Sequence, residues 1–149
     1  HFGYKNHVCI DRRHKLVRRY GVTSASVHDS QALDDLLDPD NTASTVWADS
    51  AYRSKEAEEK LAARGFKSRI HRRGCRGKPL TARQEAANKT RSSVRARVEH
   101  VFGSQHTSMG GKLVRTIGIV RAKTKIGMQN LAYNMRRLVV LERGTLTPA

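Results

Sequence analysis

The sequence is short of acidic and aromatic side chains. Aspartate and glutamate together number 13 against 29 lysines and arginines, which gives a formal net charge of +16, and aromatic residues make up 5% of the chain. With 38% apolar residues, these 149 residues can bury one lean core. So large an excess of positive charge calls for a polyanionic partner, and DNA, RNA and anionic membranes are the candidates.

Cysteines and long apolar runs are also scarce. The two cysteines, Cys9 and Cys75, form no CxxC motif, and they indicate free thiols in a reducing compartment rather than a disulfide framework. No stretch approaches the roughly 20 apolar residues of a spanning helix, and no signal-peptide core is visible. We therefore expect a cytoplasmic protein. An anionic-membrane binder is disfavoured, because the basic residues do not line one helix with a wide apolar face.

The pattern of apolar residues predicts an α/β fold. Two strands at the start of the chain are expected to pair as an antiparallel hairpin, and strands and helices then alternate. This order predicts a mixed sheet flanked by helices. The predicted strands cover residues 1–13, 15–25, 45–47 and 66–71, and the predicted helices cover residues 26–37, 54–64, 81–102 and about 118–142.

Asp49 follows a short β-branched and aromatic run, Thr45 to Trp47. A buried strand of this kind delivers its next polar residue to the rim of a sheet, where α/β folds bind their ligands. The simpler interpretation is that Asp49 caps the helix that follows, because aspartate is a good N-cap. On this stretch alone, capping is the favoured interpretation.

Basic residues are concentrated between residues 64 and 97, which contain twelve lysines or arginines and one acid, Glu85. Such a run often forms only a solvated face. The loop at about 72–80, however, is rich in both arginine and glycine. Glycine lets backbone amides approach phosphates, and arginine binds phosphate oxygens with two N–H groups. We therefore predict contact with a nucleic-acid backbone, and the candidate side chains are Arg72, Arg73, Arg76 and Lys78.

Glu99 is the only acid between Glu85 and Glu142. On a helix it shares a face with Arg95, four residues earlier, and an intrahelical ion pair is the simplest interpretation of these two residues. Two carboxylates on separate elements, Asp49 and Glu99, nevertheless suggest a divalent-metal site for phosphodiester chemistry in a chain this basic. Such sites commonly need a third carboxylate, and the sequence shows no clear one.

Six segments spread over almost the whole chain carry a resemblance to a known family. They are His1–His7 (HFGYKNH), Val46–Tyr52 (VWADSAY), Ser68–Arg72 (SRIHR), Arg95–Gly103 (RARVEHVFG), Arg115–Gly118 (RTIG) and Asn130–Leu138 (NLAYNMRRL). Together they resemble the C-terminal part of a DDE transposase of the bacterial insertion-sequence-five family.

The resemblance implies a ribonuclease H-like core with a D-D-E triad that binds Mg²⁺ or Mn²⁺. It implies that Asp49 is the second acid, at the end of the fourth core strand, and that Glu99 is the third. The first acid of such enzymes lies on the first core strand, which would precede His1. Residues 1–149 are therefore expected to form a partial catalytic domain that lacks the first core strand.

In this family the glutamate follows a tyrosine by seven positions and an arginine by four positions. A lysine follows the glutamate by seven positions. Arg95 and Glu99 match the pattern, whereas Ser92 and His106 replace the tyrosine and the lysine. By resemblance Arg95 is a phosphate-binding residue. His106 would take the place of the phosphate-binding lysine only in its protonated form.

The function implied is transposition of an insertion sequence, in which metal-dependent cleavage of a DNA strand is followed by strand transfer. The partners are the insertion-sequence ends and the target DNA, and a homo-oligomer is left open. This chain by itself is expected to be inactive. The alternative is a non-catalytic basic protein that binds DNA or RNA. It explains the charge but not the placement of Asp49 and Glu99.

Overall fold

The computed structural model describes residues 3–38, 43–110 and 114–146. His1 and Phe2, at the start of the first predicted strand, lie outside these ranges. Residue contacts divide the chain into two compact units. The first unit combines His1–Ser26 with Arg97–Ala149, and the second is Val27–Ala96.

The first unit contains the predicted hairpin. Strands β1 (Tyr4–Ile10) and β2 (Val17–Ser24) pair antiparallel. The turn between them is organised by Asp11, whose carboxylate accepts hydrogen bonds from the backbone N–H groups of Arg13 at 3.0 Å and His14 at 2.8 Å. An aspartate that binds the amides of its own turn favours such a reversal. The prediction of a hairpin is thus confirmed.

Two long helices form the C-terminal part of the chain, and both end later than predicted. Helix α3 spans Ala82–Thr107 and helix α4 spans Ile119–Leu146. The predicted start of α3 is confirmed, because the Thr81 hydroxyl accepts from the Gln84 amide while the Gln84 side chain accepts from the Thr81 amide. This reciprocal arrangement is a capping box. The helix then continues beyond the predicted end at Phe102.

The core of the first unit lies between the hairpin and these helices. Val17 of β2, Val101 of α3 and Tyr133 of α4 are buried together. Asn134 fixes α4 against β2, because its side-chain amide accepts from the Val17 N–H and donates to the Val17 carbonyl, both at 2.8 Å. The side chain therefore satisfies both backbone groups of Val17.

The second unit is a small parallel α/β arrangement. Strands β3 (Thr45–Val46) and β4 (Lys67–Ser68) pair in parallel, and helix α2 (Lys55–Ala63) connects them. Ser54 caps α2 by accepting from the Ala57 amide at 3.0 Å, and Gly65 follows the helix with a φ of 74°, the left-handed conformation common at helix ends. The core side chains are Leu33, Leu37, Ala57, Leu61 and Ile70.

Two features differ from the sequence prediction. The helix predicted at 26–37 consists of a 3-10 turn, Asp29–Ala32, and a single helical turn, α1 (Leu33–Leu36). In the described part of the chain, the strands form two separate two-stranded sheets, one antiparallel and one parallel, rather than a single mixed sheet. Strands β3 and β4 contribute only two residues each, too few for an extended sheet. This combination of small sheets and helices is an α/β architecture compatible with a ribonuclease H-like fold.

Of the helices in the described ranges, none combines the length and the apolarity that a membrane crossing requires.

Candidate active site

Asp49 lies three residues beyond the end of β3, where the backbone leaves the parallel pair. Its Oδ1 atom accepts a hydrogen bond of 2.5 Å from the Ser50 backbone N–H and one of 3.1 Å from the Ser50 hydroxyl. Asp49 therefore caps the 3-10 turn Ser50–Tyr52. The capping interpretation is confirmed for this short turn, whereas helix α2 has its own cap in Ser54.

The second carboxylate oxygen of Asp49 is held by an arginine. Oδ2 accepts from Nη1 of Arg95, which lies on α3 in the same compact unit. Burial acts to raise the pKa of Asp49, but the Arg95 charge and the two Ser50 hydrogen bonds outweigh it and hold the pKa below its ordinary value. Asp49 is therefore an ionised carboxylate at neutral pH.

His71 borders this pair from the neighbouring strand. Parallel pairing continues past β4, so that the His71 backbone N–H donates to the Ala48 carbonyl at 3.1 Å. Burial, followed by the positive charge of Arg95, lowers the pKa of His71, while Asp49 acts in the opposite direction. Its Nε2 atom is buried and has no hydrogen-bond partner among the described residues. The imidazole is thus neutral at neutral pH.

Tyr52 supports the other side of the turn that Asp49 caps. Its ring packs against the core of the second unit. Burial raises the pKa of its phenol to about 12, and the negative charges of Asp29 and Asp49 act in the same direction. The side chain is therefore a neutral phenol that holds the turn against the core.

Glu99 and His106 lie in the part of α3 that belongs to the first unit. Glu99 is exposed one helical turn after Arg95, and His106 is exposed in the last turn of the helix. The structure thus joins two of the predicted site residues directly, Asp49 and Arg95. It places Glu99 and His106 on the same helix as Arg95.

The predicted basic loop is exposed and tied to α3. Cys75 and Lys78 exchange backbone hydrogen bonds of 3.2 and 2.9 Å, and Gly77 between them has a φ of 82°. At the start of the loop, the Asn88 side chain accepts from the Arg72 N–H at 3.1 Å and donates to the Arg72 carbonyl at 2.8 Å. The exposed side chains are those of Arg72, Arg73, Arg76 and Lys78.

Sequence analysis missed several residues that shape this region. His71 stands at the end of a predicted strand, the position that drew attention to Asp49, and that position was the available signal. Arg53, Asn88 and Arg91 are drawn in by contacts over 16 to 21 residues of sequence. No local sequence pattern predicts these contacts.

The donor set of the described residues is incomplete for a divalent ion. In residues 3–38, 43–110 and 114–146, no group of three or more histidine, cysteine, aspartate or glutamate side chains could hold a metal. Both Asp49 oxygens accept from protein donors, and one of those donors is a cation. The described residues therefore do not fit a complete metal site.

Comparison with known proteins relates this chain to a group of DNA-mobilising enzymes. Residues 1–135 match the family described as transposase DDE domain. A transposase for insertion sequence element IS1106 of Neisseria meningitidis serogroup B is 28% identical over 133 residues, which cover 89% of this chain and 46% of that protein. The chain thus spans about half the length of this curated relative. No solved structure matches. Since the family match covers most of the sequence, the chain belongs to the transposase DDE domain family.

Proposed function

We propose that residues 1–149 form the C-terminal part of the catalytic domain of an insertion-sequence transposase, with the insertion-sequence-five family as the narrower assignment. Its reaction would be cleavage of a DNA strand at the element's end, followed by transfer to target DNA in the bacterial cytoplasm. The observation that supports this most is the position of Asp49. It is an ionised carboxylate at the end of a parallel strand pair, bonded to α3 one turn before Glu99.

The metal-binding acids in this proposal are Asp49 and Glu99, and the ion is Mg²⁺ or Mn²⁺. Mg²⁺ binds through a few carboxylates together with substrate phosphate and water. The described residues offer no three-carboxylate group. In the proposal, the first acid of the triad comes from a part of the transposase outside residues 1–149.

The sheet topology supports a missing core strand. β3 pairs with β4 over only two residues of each strand, which is shorter than the usual strand of a globular protein. A further strand pairing with β3 or β4 would extend this parallel sheet and carry the first acid of the triad. In the proposal this strand is the first strand of the ribonuclease H-like core.

The residues of this chain would bind and orient DNA. Arg72, Arg73, Arg76 and Lys78 present exposed cations to the phosphate backbone. His106, exposed at the end of α3, would add a contact when protonated. Arg95 would bind phosphate while its guanidinium also holds Asp49 in place.

A transposition assay tests the proposal, with the complete reading frame that contains this chain supplied in cells. Asp49→Asn and Glu99→Gln should each abolish excision and integration, because each removes one metal-binding charge and little volume. Glu56→Gln is the matched control, since Glu56 pairs with Lys60 on the exposed face of α2. Normal transposition by either active-site variant would refute the assignment.

A second experiment uses the 149-residue chain itself. Incubated with labelled element-end DNA and Mn²⁺, it should show no strand cleavage, because one acid is absent. Cleavage that Asp49→Asn removes would show that the first acid of the triad also lies within this chain.

The incomplete metal site and the Arg95–Asp49 pair favour a second candidate, a non-catalytic DNA- or RNA-binding protein. Isothermal titration with Mn²⁺ separates the two. The transposase proposal expects heat of binding that Asp49→Ala reduces, whereas a binding module expects identical titrations. Salt-dependent DNA binding does not discriminate, since both candidates predict it.

A further inference from the structure

Two arginines converge on one backbone carbonyl in the second unit. Nη1 of Arg53 and Nη1 of Arg91 each donate a hydrogen bond of 3.2 Å to the carbonyl oxygen of Ile70. Arg53 immediately follows the 3-10 turn that Asp49 caps, and Arg91 lies on α3. Because both nitrogens bond the same oxygen, the two guanidinium groups are close neighbours.

Surrounding contacts fix both side chains. Arg91 also donates to Oδ1 of Asn88 at 3.1 Å, and the same Asn88 holds the backbone of Arg72. Arg53 lies 3.3 Å from the carboxylate of Glu58. Ile70, which supplies the shared carbonyl, is completely buried. The arginines are therefore held in place before any ligand arrives, which reduces the entropy lost on binding.

The cluster carries more positive charge than its carboxylate neutralises. Burial lowers the pKa of Arg91, and the charges of Arg72, Arg53 and Arg69 lower it further, whereas Glu58 acts in the opposite direction. Arg91 is thus affected by three other arginines and by a single acid. Like charges gathered in this way repel one another, and an anion placed among them would relieve the repulsion.

We propose that Arg53 and Arg91 form a binding site for one phosphodiester group of DNA, adjacent to Asp49. The sequence analysis assigned neither residue, and the identity of the ligand as DNA rests on the proposed function. Guanidinium groups bind phosphate oxygens through paired N–H donors. In the described part of the chain, Arg91 engages its protein acceptors through Nη1 alone, so its other N–H groups remain available.

The location gives the site its role. Ile70 directly precedes His71, whose backbone pairs with Ala48 beside Asp49. A phosphate bound by Arg53 and Arg91 therefore lies next to the end of β3. The two arginines would position the DNA strand relative to Asp49, while the loop that carries Arg76 would bind other phosphates of the same DNA. In this proposal Arg53 and Arg91 contact the phosphate directly, and Asn88 contributes only by orienting Arg91.

Salt-dependent binding of a labelled, mixed-sequence DNA duplex tests the site, measured by fluorescence anisotropy in EDTA. Each phosphate contact contributes about 0.9 to the slope of log K against log salt. Arg53→Gln and Arg91→Gln should each reduce the magnitude of this negative slope by about 0.9. The double variant should reduce the magnitude by little more than either single variant, because both side chains bind the same phosphate. Arg64→Gln is the matched control: it removes the same charge, but the Arg64 guanidinium is bound to Asp34 at 2.6 Å.

Equal slopes for Arg53→Gln, Arg91→Gln and Arg64→Gln would overturn the proposal, because general charge alone would then explain binding. Additive loss in the double variant would show that the two arginines do not share one phosphate.

Arg91→Lys controls for a folding defect, since it keeps the charge. It should bind DNA more weakly than the wild type with an unchanged circular dichroism spectrum, and wild-type binding by this variant would exclude the paired N–H contact. An effect on duplex RNA alone would overturn the assignment to DNA.

This assay is independent of the proposed reaction. If the slopes change as expected but Asp49→Asn leaves transposition intact, the phosphate site stands and the proposed function fails. If Asp49→Asn abolishes transposition while the slopes do not change, the function stands and the phosphate site fails.

Discussion

Arg95 on α3 forms an ion pair with Asp49, which lies 46 residues earlier in the sequence. From the sequence, Arg95 is expected to pair with Glu99, its neighbour on the helix, and to bind phosphate. The pair ties α3 to the strand end that carries Asp49. The exposed fractions are 31% for the Arg95 side chain and 43% for that of Asp49, so the pair remains accessible to solvent and to a competing anion.

Replacing Arg95 should change the titration of Asp49. Among the causes that lower this pKa, the Arg95 charge is the largest, so Arg95→Gln should raise the pKa of Asp49 towards its ordinary value or above it. Carboxyl-carbon NMR titration measures this. Arg64→Gln, which removes an arginine paired with Asp34, should leave the Asp49 titration unchanged. An unaltered Asp49 titration in Arg95→Gln would show that Ser50 alone holds the carboxylate.

The same variant should cost little stability. Partly exposed ion pairs contribute at most about 1 kcal/mol, because solvent screens them. The lowered pKa means that this contribution is present above the ordinary pKa of aspartate and is lost as the pH falls through the lowered value. Urea unfolding of Arg95→Gln at neutral pH should therefore differ from that of the wild type by less than about 1 kcal/mol.

Local chemistry explains what the sequence could predict. The hairpin, the Thr81 cap and the glycine after α2 depend on residues within a few positions of one another. The capping role of Asp49 is equally local. The Arg53–Ile70 and Arg91–Ile70 contacts join residues 17 and 21 positions apart, and they exist only once α2, β4 and α3 have packed. A single sequence records such proximity weakly, so the arginine pair was missed.

The helix predicted at 26–37 illustrates a different limit. His28 caps a 3-10 turn by accepting from the Ser30 amide through Nδ1 at 3.3 Å. Within the predicted helix, the apolar residues Leu33, Leu36 and Leu37 have the spacing expected of a helix, and all three are buried. The spacing therefore identified the buried positions correctly, although the backbone forms a 3-10 turn and only one helical turn.

Asp11 should contribute pH-dependent stability to the hairpin. Burial acts to raise its pKa, but hydrogen bonds from the amides of Arg13 and His14 and from the His14 ring lower it below its ordinary value. Its contribution is therefore present above the ordinary pKa and is lost as the pH falls through the lowered one. Asp11→Ala should cost about 1 kcal/mol at neutral pH, as loss of a cap does, and less in acid.

Urea unfolding at neutral and at acidic pH measures this difference. Asp11→Asn is the matched variant, because an amide oxygen still accepts from the turn but has no charge. It should retain only the part of the stability that does not depend on charge, and its free energy of unfolding should change less with pH than that of the wild type. A cost for Asp11→Ala that stays constant with pH would contradict the assignment of the effect to the ionised carboxylate.

Asn130 on α4 should be sensitive to truncation. It is buried, its amide exchanges hydrogen bonds of 3.0 and 3.2 Å with Asn6 of β1, and its Oδ1 also accepts from the buried Gln105 at 2.8 Å. Asn130→Ala would leave the amide of the buried Gln105 without this partner and would remove both hydrogen bonds to the half-buried Asn6. Each such group costs about 1–3 kcal/mol. We expect a loss of at least about 2 kcal/mol in urea unfolding.

Leu131→Ala on the same helix is the control, because Leu131 is 53% exposed. It should change the free energy of unfolding by no more than about 0.5 kcal/mol. Similar effects of the two substitutions would mean that the Asn6–Asn130–Gln105 network does not stabilise the first unit.

Asn88 should control the order of the basic loop. Its side chain pairs with both backbone groups of Arg72, at 3.1 and 2.8 Å, and also orients Arg91. Asn88→Ala removes all these bonds, and a typical hydrogen bond contributes about 1 kcal/mol. The Arg72 amide should therefore exchange with solvent roughly five times faster, as hydrogen-exchange NMR would show.

The Cys75 amide is the internal control, because its bond to the Lys78 carbonyl at 3.2 Å does not involve Asn88. Faster exchange at both amides would instead indicate that the whole loop depends on α3, and unchanged exchange at Arg72 would show that Asn88 does not hold it.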